Sequence, residues 1–108
     1  MKYYSTSGRA PLASLEEAVT RGLAPDKGLY MPQRIEALPR EFFEEIDRLP
    51  FADIACRVAS AFFGEDIPEK DLHALVRDAL DFDVPLVPVE EHISSLELFH
   101  GPTLAFKD

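Results

Sequence analysis

Two stretches of the sequence place apolar residues at helical spacing, and this pattern constrains the fold more than any other feature. The first stretch runs from Phe51 to Phe62 and the second from Leu72 to Leu80, with apolar residues recurring at intervals of three and four. Such a stripe is typical of a helix that packs one face against a core. We therefore predict two neighbouring amphipathic helices, with Phe62 and Leu75 largely buried between them.

Shorter elements precede these helices. Met1 to Ser5 reads as an opening strand, followed by a polar loop. Ser14 and Glu17 form a capping box that predicts a helix, and Gly22 is placed to end it. Pro25 to Gly28 predicts a turn in which the glycine takes a positive φ. A brief extended segment over residues 29–31 and a short helix beginning at Pro39 complete this part.

The pattern changes after Asp81. Residues 84–89 combine β-forming side chains with two prolines, which indicates a connector or an edge strand. Residues 93–99 are a better strand candidate, and Gly101 and Pro102 form a turn before a helix capped by Thr103. We predict an α+β chain: residues 1–82 form a small, mainly helical domain, and residues 83–108 open a second, α/β domain.

Composition excludes several classes of function. The net charge is −9, whereas nucleic acids and anionic membranes select basic surfaces. No apolar run is long enough to span a membrane. The three histidines and the single cysteine, Cys56, lack the spacing of a metal site, and Cys56 lies among apolar neighbours as expected for core filling. A lone cysteine also fits a reducing, cytoplasmic compartment.

Lys107 is the residue that we single out as a catalytic candidate. It falls in the first turn of the helix expected after Thr103, near the positive end of the helix dipole. That position disfavours the protonated amine, and a lysine must lose its proton before it forms a Schiff base. Taken alone, the alternative is an ordinary solvated lysine.

Two segments of the sequence support the interpretation of Lys107 as a catalytic residue. Residues 96–108 read LELFHGPTLAFKD, and residues 18–32 read AVTRGLAPDKGLYMP. Both resemble motifs of the threonine synthases, which are pyridoxal-phosphate enzymes of fold type II, and the resemblance spans nearly the whole chain. One departure lies at residues 5–9, where STSGR stands in place of a tighter Ser-Thr-Arg-Gly. The departure leaves open whether Arg9 takes the place of the family's arginine.

The resemblance implies a reaction, a cofactor and a role for one residue. Lys107 would hold pyridoxal 5'-phosphate through its side-chain amine and then move protons between substrate carbons. The small-molecule substrate would be O-phospho-L-homoserine, which reacts with water to give L-threonine and phosphate. Because the chain stops one residue after Lys107, we expect it to be the inactive front part of a longer protein.

Two alternatives stay open at this point. Threonine-synthase-like proteins share the lysine motif but act as phospho-lyases on related phosphorylated amino acids. The helical part is also compatible with a non-catalytic interaction module. The sequence sets no oligomeric state.

Overall fold

The computed structural model describes residues 1–106, and helices alternate with short strands along them. The elements in chain order are β1 (Tyr3–Ser5), α1 (Leu15–Arg21), β2 (Tyr30–Pro32), α2 (Arg40–Glu45) with a 3₁₀ turn (Ile46–Arg48), α3 (Phe51–Phe63), α4 (Glu69–Ala79), β3 (Leu86–Glu90) and β4 (Ile93–Leu96). This mixture of four α-helices and two small sheets confirms the expected combination of helix and strand in the N-terminal part.

The helix ends follow the sequence signals closely. The Ser14 hydroxyl accepts the Glu17 N–H at 3.1 Å and so caps α1. Gly22 ends that helix with φ 72°, a left-handed conformation that costs glycine little, and donates its N–H to Ala18. Gly64 ends α3 by donating to the Ser60 carbonyl. The predicted N-cap Ser14 and the predicted end of α1 at Gly22 are confirmed.

β1 and β2 form an antiparallel ribbon that is attached to the end of the α3–α4 hairpin. The Tyr3 hydroxyl donates to the Phe62 carbonyl at 3.3 Å. The Met1 ammonium lies 3.0 Å from carboxylates of both Glu65 and Asp66, in the loop between the two helices. These contacts fix the first strand, and with it the loop that follows β1, against the helical part.

The buried core is smaller than the sequence predicts. Cys56 of α3 and Leu72 of α4 are buried where the helices pack together, so the prediction that Cys56 fills the core is confirmed. Leu75, however, is 59% exposed, and Phe62 is only half-buried. The predicted burial of Leu75 is wrong, because an amphipathic stripe identifies the apolar face of a helix without supplying the element that covers it.

Beyond α4 the chain forms a β-hairpin from the two segments for which strands were considered, residues 84–89 and 93–99. β3 and β4 pair antiparallel with an irregularity between Pro88 and Glu90, and every residue in both strands is exposed. Residues 84–89 therefore include an edge strand, as predicted. The helix expected from Thr103 is absent through Phe106: Leu104 has φ 58°, which a right-handed helix excludes.

The molecule is elongated. Its radius of gyration is 16.7 Å and its extents are 50 × 28 × 25 Å, whereas a compact domain of 100 residues has a radius of gyration of about 13 Å. Part of the apolar surface consequently faces outward.

Candidate functional site

The segment that leads to Lys107 is held by contacts on the residues before it. Glu97 donates its backbone N–H to the Pro85 carbonyl at 3.0 Å, which extends the hairpin pairing beyond β4. His100 Nε2 lies 2.6 Å from Glu97 Oε2, within hydrogen-bond distance. The Phe99 and His100 rings stack with their centroids 4.7 Å apart. A backbone hydrogen bond, a side-chain contact and a ring contact thus fix the first half of the motif.

The second half of the motif is a turn. Leu104 donates its N–H to the Gly101 carbonyl at 3.0 Å. A cleft of about 170 Å³ separates this segment from the ends of α3 and α4. It is lined by Phe51, Leu80, Phe82, Val84, Leu98, Ala105 and Phe106. The segment therefore approaches the ends of α3 and α4. Lys107 itself lies outside the described residues, so its assignment stays a prediction.

The surroundings of this segment are poor in positive charge. No lysine or arginine occurs between Arg77 and Lys107 in the sequence. A phosphate-bearing ligand requires cationic side chains or a set of free backbone N–H groups. Residues 78–106 thus supply no cationic cradle for the phosphate of a cofactor or substrate.

A separate cluster of polar contacts is centred on Asp26, in the turn between α1 and β2. Its Oδ1 accepts the Ser5 hydroxyl at 2.6 Å and the Gly28 N–H at 3.1 Å. Its Oδ2 accepts the N–H groups of Arg9 at 3.0 Å and Ala10 at 2.9 Å. One carboxylate therefore joins the turn at residues 25–28 to the loop at residues 5–10, and we call this arrangement the Asp26 knot.

These hydrogen bonds lower the pKa of the Asp26 carboxyl group. The hydrogen bond from Ser5 lowers the pKa of Asp26 most, partial burial opposes it, and the N–H groups of Gly28, Arg9 and Ala10 lower it further. Together they bring the pKa from 3.8 to about 2. The carboxylate is ionised at neutral pH and serves as an internal acceptor.

The turn differs from the prediction in one detail. Lys27, not Gly28, takes the positive φ, at 67°. A Cβ atom on residue 28 would collide with the Ser5 hydroxyl and come within 2.7 Å of the Ser7 nitrogen. Glycine is thus required at position 28 for space, because the two loops touch there.

The loop at residues 5–10 is ordered by its partners. Ser5 is 2% exposed, and Thr6 pairs with Leu29 through its backbone N–H and its hydroxyl, both at 2.9 Å. The sequence predicted a polar loop here, and these hydrogen bonds hold it in place. For Arg9, the residue considered in place of the family's arginine, the described contact is the backbone donation to Asp26.

Comparison with known proteins relates both clusters to one family. A family model described as "Threonine synthase N terminus" matches residues 2–80. This chain belongs to the threonine synthase N-terminal family. Threonine synthase of Escherichia coli is 39% identical over 108 residues, which cover 100% of this chain and 25% of that protein. "Threonine synthase-like 2" of Rattus norvegicus is 37% identical, with 100% and 24% covered.

Solved structures of the family have the same fold in this region. The crystal structure of threonine synthase from Escherichia coli superimposes with a TM-score of 0.88 at 38% identity, covering 99% of this chain and 25% of that one. The pyridoxal-phosphate-bound threonine synthase of Brucella melitensis gives 0.86 at 40% identity, covering 99% and 24%. The chain spans about a quarter of the length of these threonine synthases.

Other site chemistries have little support in residues 1–106. This part of the chain contains no group of histidine, cysteine and acidic residues that could hold a metal. None of its helices is long and apolar enough to cross a membrane. His73 is half-buried, with its Nε2 3.2 Å from the Ser60 hydroxyl. That pair links α3 to α4. Among the described contacts, no carboxylate bonds to His73, as a Ser-His-Asp triad would require.

Proposed function

We propose that this chain forms the N-terminal part of a cytoplasmic threonine synthase. The enzyme would convert O-phospho-L-homoserine and water to L-threonine and phosphate, with pyridoxal 5'-phosphate bound through Lys107. Residues 1–82 would form the N-terminal domain, and residues 83–108 would open the cofactor-binding domain of fold type II. The cofactor would act as the electron sink, and Lys107 would accept and return protons.

The observation that carries the proposal is the match of nearly the whole chain to solved threonine synthases. The Escherichia coli structure matches over 99% of the residues, with a TM-score of 0.88. The chemistry of Lys107 fits the cofactor, because a primary amine is the group that condenses with the aldehyde of pyridoxal phosphate. Residues 78–106 contain no lysine or arginine, so we expect cationic phosphate-binding side chains to come from other parts of the protein.

Reduction with borohydride tests the lysine assignment directly. The full-length enzyme, loaded with pyridoxal phosphate, is reduced and digested, and the labelled peptide is sequenced. We expect the label on Lys107, and we expect Lys107→Arg to lose both the label and turnover, because a guanidinium stays protonated. Lys27→Arg is the matched control and should retain both. A label on any other lysine overturns the assignment.

Product analysis separates threonine synthesis from the phospho-lyase alternative. Loss of phosphate followed by addition of water yields threonine, whereas loss of phosphate followed by hydrolysis of the resulting enamine yields a 2-oxo acid and ammonia. We expect threonine and phosphate in equal amounts from O-phospho-L-homoserine. The 37% identity to the rat threonine-synthase-like protein makes the comparison necessary, since identity to the two kinds of relative is almost equal.

A further inference from the structure

A long apolar groove runs along one side of α3 and α4. It has a volume of about 700 Å³ and is lined by fifteen residues, all of them Leu, Ile, Val, Phe or Ala. Leu15 and Val19 of α1 and Leu75 of α4 are among the lining residues. Several lining side chains are well exposed, with Val19 at 71% and Leu75 at 59%. We call this surface the α3–α4 groove.

A surface of this kind requires an occupant. Soluble proteins seldom leave a continuous apolar patch of several hundred Å² in contact with water. The groove is concave and offers no charged side chain in its lining, so a convex apolar element fits it best. An amphipathic helix that inserts its apolar face into the groove meets both requirements.

The position of the groove indicates where that helix comes from. Phe51 and Leu80 line the groove. They also line the cleft whose other wall is the segment leading to Lys107. The groove is therefore continuous with the contact between the helical part and the lysine motif. In the Escherichia coli and Brucella structures the same fold belongs to chains about four times as long, of which it covers 25% and 24%.

We propose that the α3–α4 groove binds an apolar helix face from the catalytic region of threonine synthase, the region built around the cofactor lysine. The groove thereby fixes the N-terminal unit to the part of the enzyme that holds pyridoxal phosphate. This inference rests on the proposed function. A second copy of the unit is a poorer occupant, because each copy carries a net charge of −9 and the two concave surfaces do not complement one another.

Thiol labelling of the full-length protein tests the groove. Leu75→Cys is compared with Phe43→Cys on α2, because Leu75 and Phe43 are almost equally exposed in this structure, at 59% and 58%, and Phe43 lies outside the groove. A maleimide is added to the native protein, and modification of the two peptides is followed by mass spectrometry. We expect the thiol introduced at position 75 to react roughly tenfold or more slowly than the thiol introduced at position 43, because a covered thiol reacts only when the interface opens.

Val19→Cys provides a second position if Leu75→Cys does not fold, since Val19 also lines the groove and is 71% exposed. Denatured samples give the intrinsic reactivity of each peptide. Equal native rates at positions 75 and 43 overturn the proposal. Protection that disappears on hundredfold dilution assigns the groove to a second copy and also overturns it. The lysine assignment is tested by borohydride mapping, so the two ideas fail independently.

Discussion

Asp26 shows how much of a local structure one side chain can determine. Its two carboxylate oxygens accept four hydrogen bonds, from Ser5, Arg9, Ala10 and Gly28. Two segments that are separate in sequence are thereby held in one conformation. Residues 18–32, the segment that resembles the family's N-terminal signature, contain this aspartate and the glycine that makes room for Ser5.

The depressed acidity of Asp26 predicts a pH dependence of stability. The folded pKa of about 2 lies below the unfolded value of 3.8, so the carboxylate stabilises the fold fully above pH 3.8 and loses this effect as pH falls through 2. We expect Asp26→Asn to lower the free energy of unfolding at pH 6, because its amide nitrogen faces N–H donors. The difference from the unchanged chain should shrink between pH 4 and pH 2.

Urea titrations monitored by circular dichroism at several pH values measure that difference. Glu41→Gln, at an exposed position on α2, is the matched control and should show little difference at any of these pH values. A constant gap between the unchanged chain and Asp26→Asn over the whole range would contradict the role assigned to the carboxylate.

The Asp26 knot was not predictable from local sequence pattern. Ser5 lies 21 residues from Asp26, and Arg9 lies 17 residues away. The sequence correctly predicted a turn at residues 25–28 because proline and glycine signal it locally. It assigned the positive φ to Gly28, although Lys27 adopts it, because the reason for the glycine is a contact with a distant loop.

For the helices, local sequence signals predicted where the helices lie but not which of their side chains are buried. Gly22 ends α1 at the place that the sequence indicates. Burial depends on what packs against a face, and the α3–α4 groove has no cover within residues 1–106. The pairing of β3 with β4 was not predicted, because both strands are short and β3 contains Pro88.

Alanine substitution on α4 distinguishes the two sides of this helix. Leu72 is 3% exposed and Leu75 is 59% exposed. In the chain of residues 1–108 we expect Leu72→Ala to lower the free energy of unfolding by about 2–5 kcal/mol, as for other buried leucines. Leu75→Ala should change it by no more than about 0.5 kcal/mol, as for other surface positions. Equal losses in urea unfolding would show that the face of α4 is misassigned.

The molecule as a whole has the properties of a unit that is completed by other parts. Its radius of gyration of 16.7 Å is large for its length, and its hairpin is exposed on both strands. An isolated two-stranded hairpin is only marginally stable in water. The groove, the hairpin and the exposed Phe106 together describe a surface that is apolar in several places while the net charge is −9.

These properties predict weak retention of pyridoxal phosphate by residues 1–108 alone. An amine can condense reversibly with the aldehyde, but tight binding requires several placed groups around the phosphate and the ring. We expect cofactor absorbance to fall to the level of a Lys107→Arg control after extensive dialysis, and no threonine to form from O-phospho-L-homoserine. Near-stoichiometric cofactor after dialysis would mean that this chain contains most of the binding site.

The Asp26 knot also bears on where phosphate can bind. Three backbone N–H groups and a hydroxyl converge at one point, as they do in loops that capture anions, but the anion there is the protein's own carboxylate. A tethered group competes at an effective concentration on the order of millimolar or above. A free phosphate ester would have to displace the Asp26 carboxylate from these donors. The protein's own side chain therefore competes with such ligands for the loop at residues 5–10.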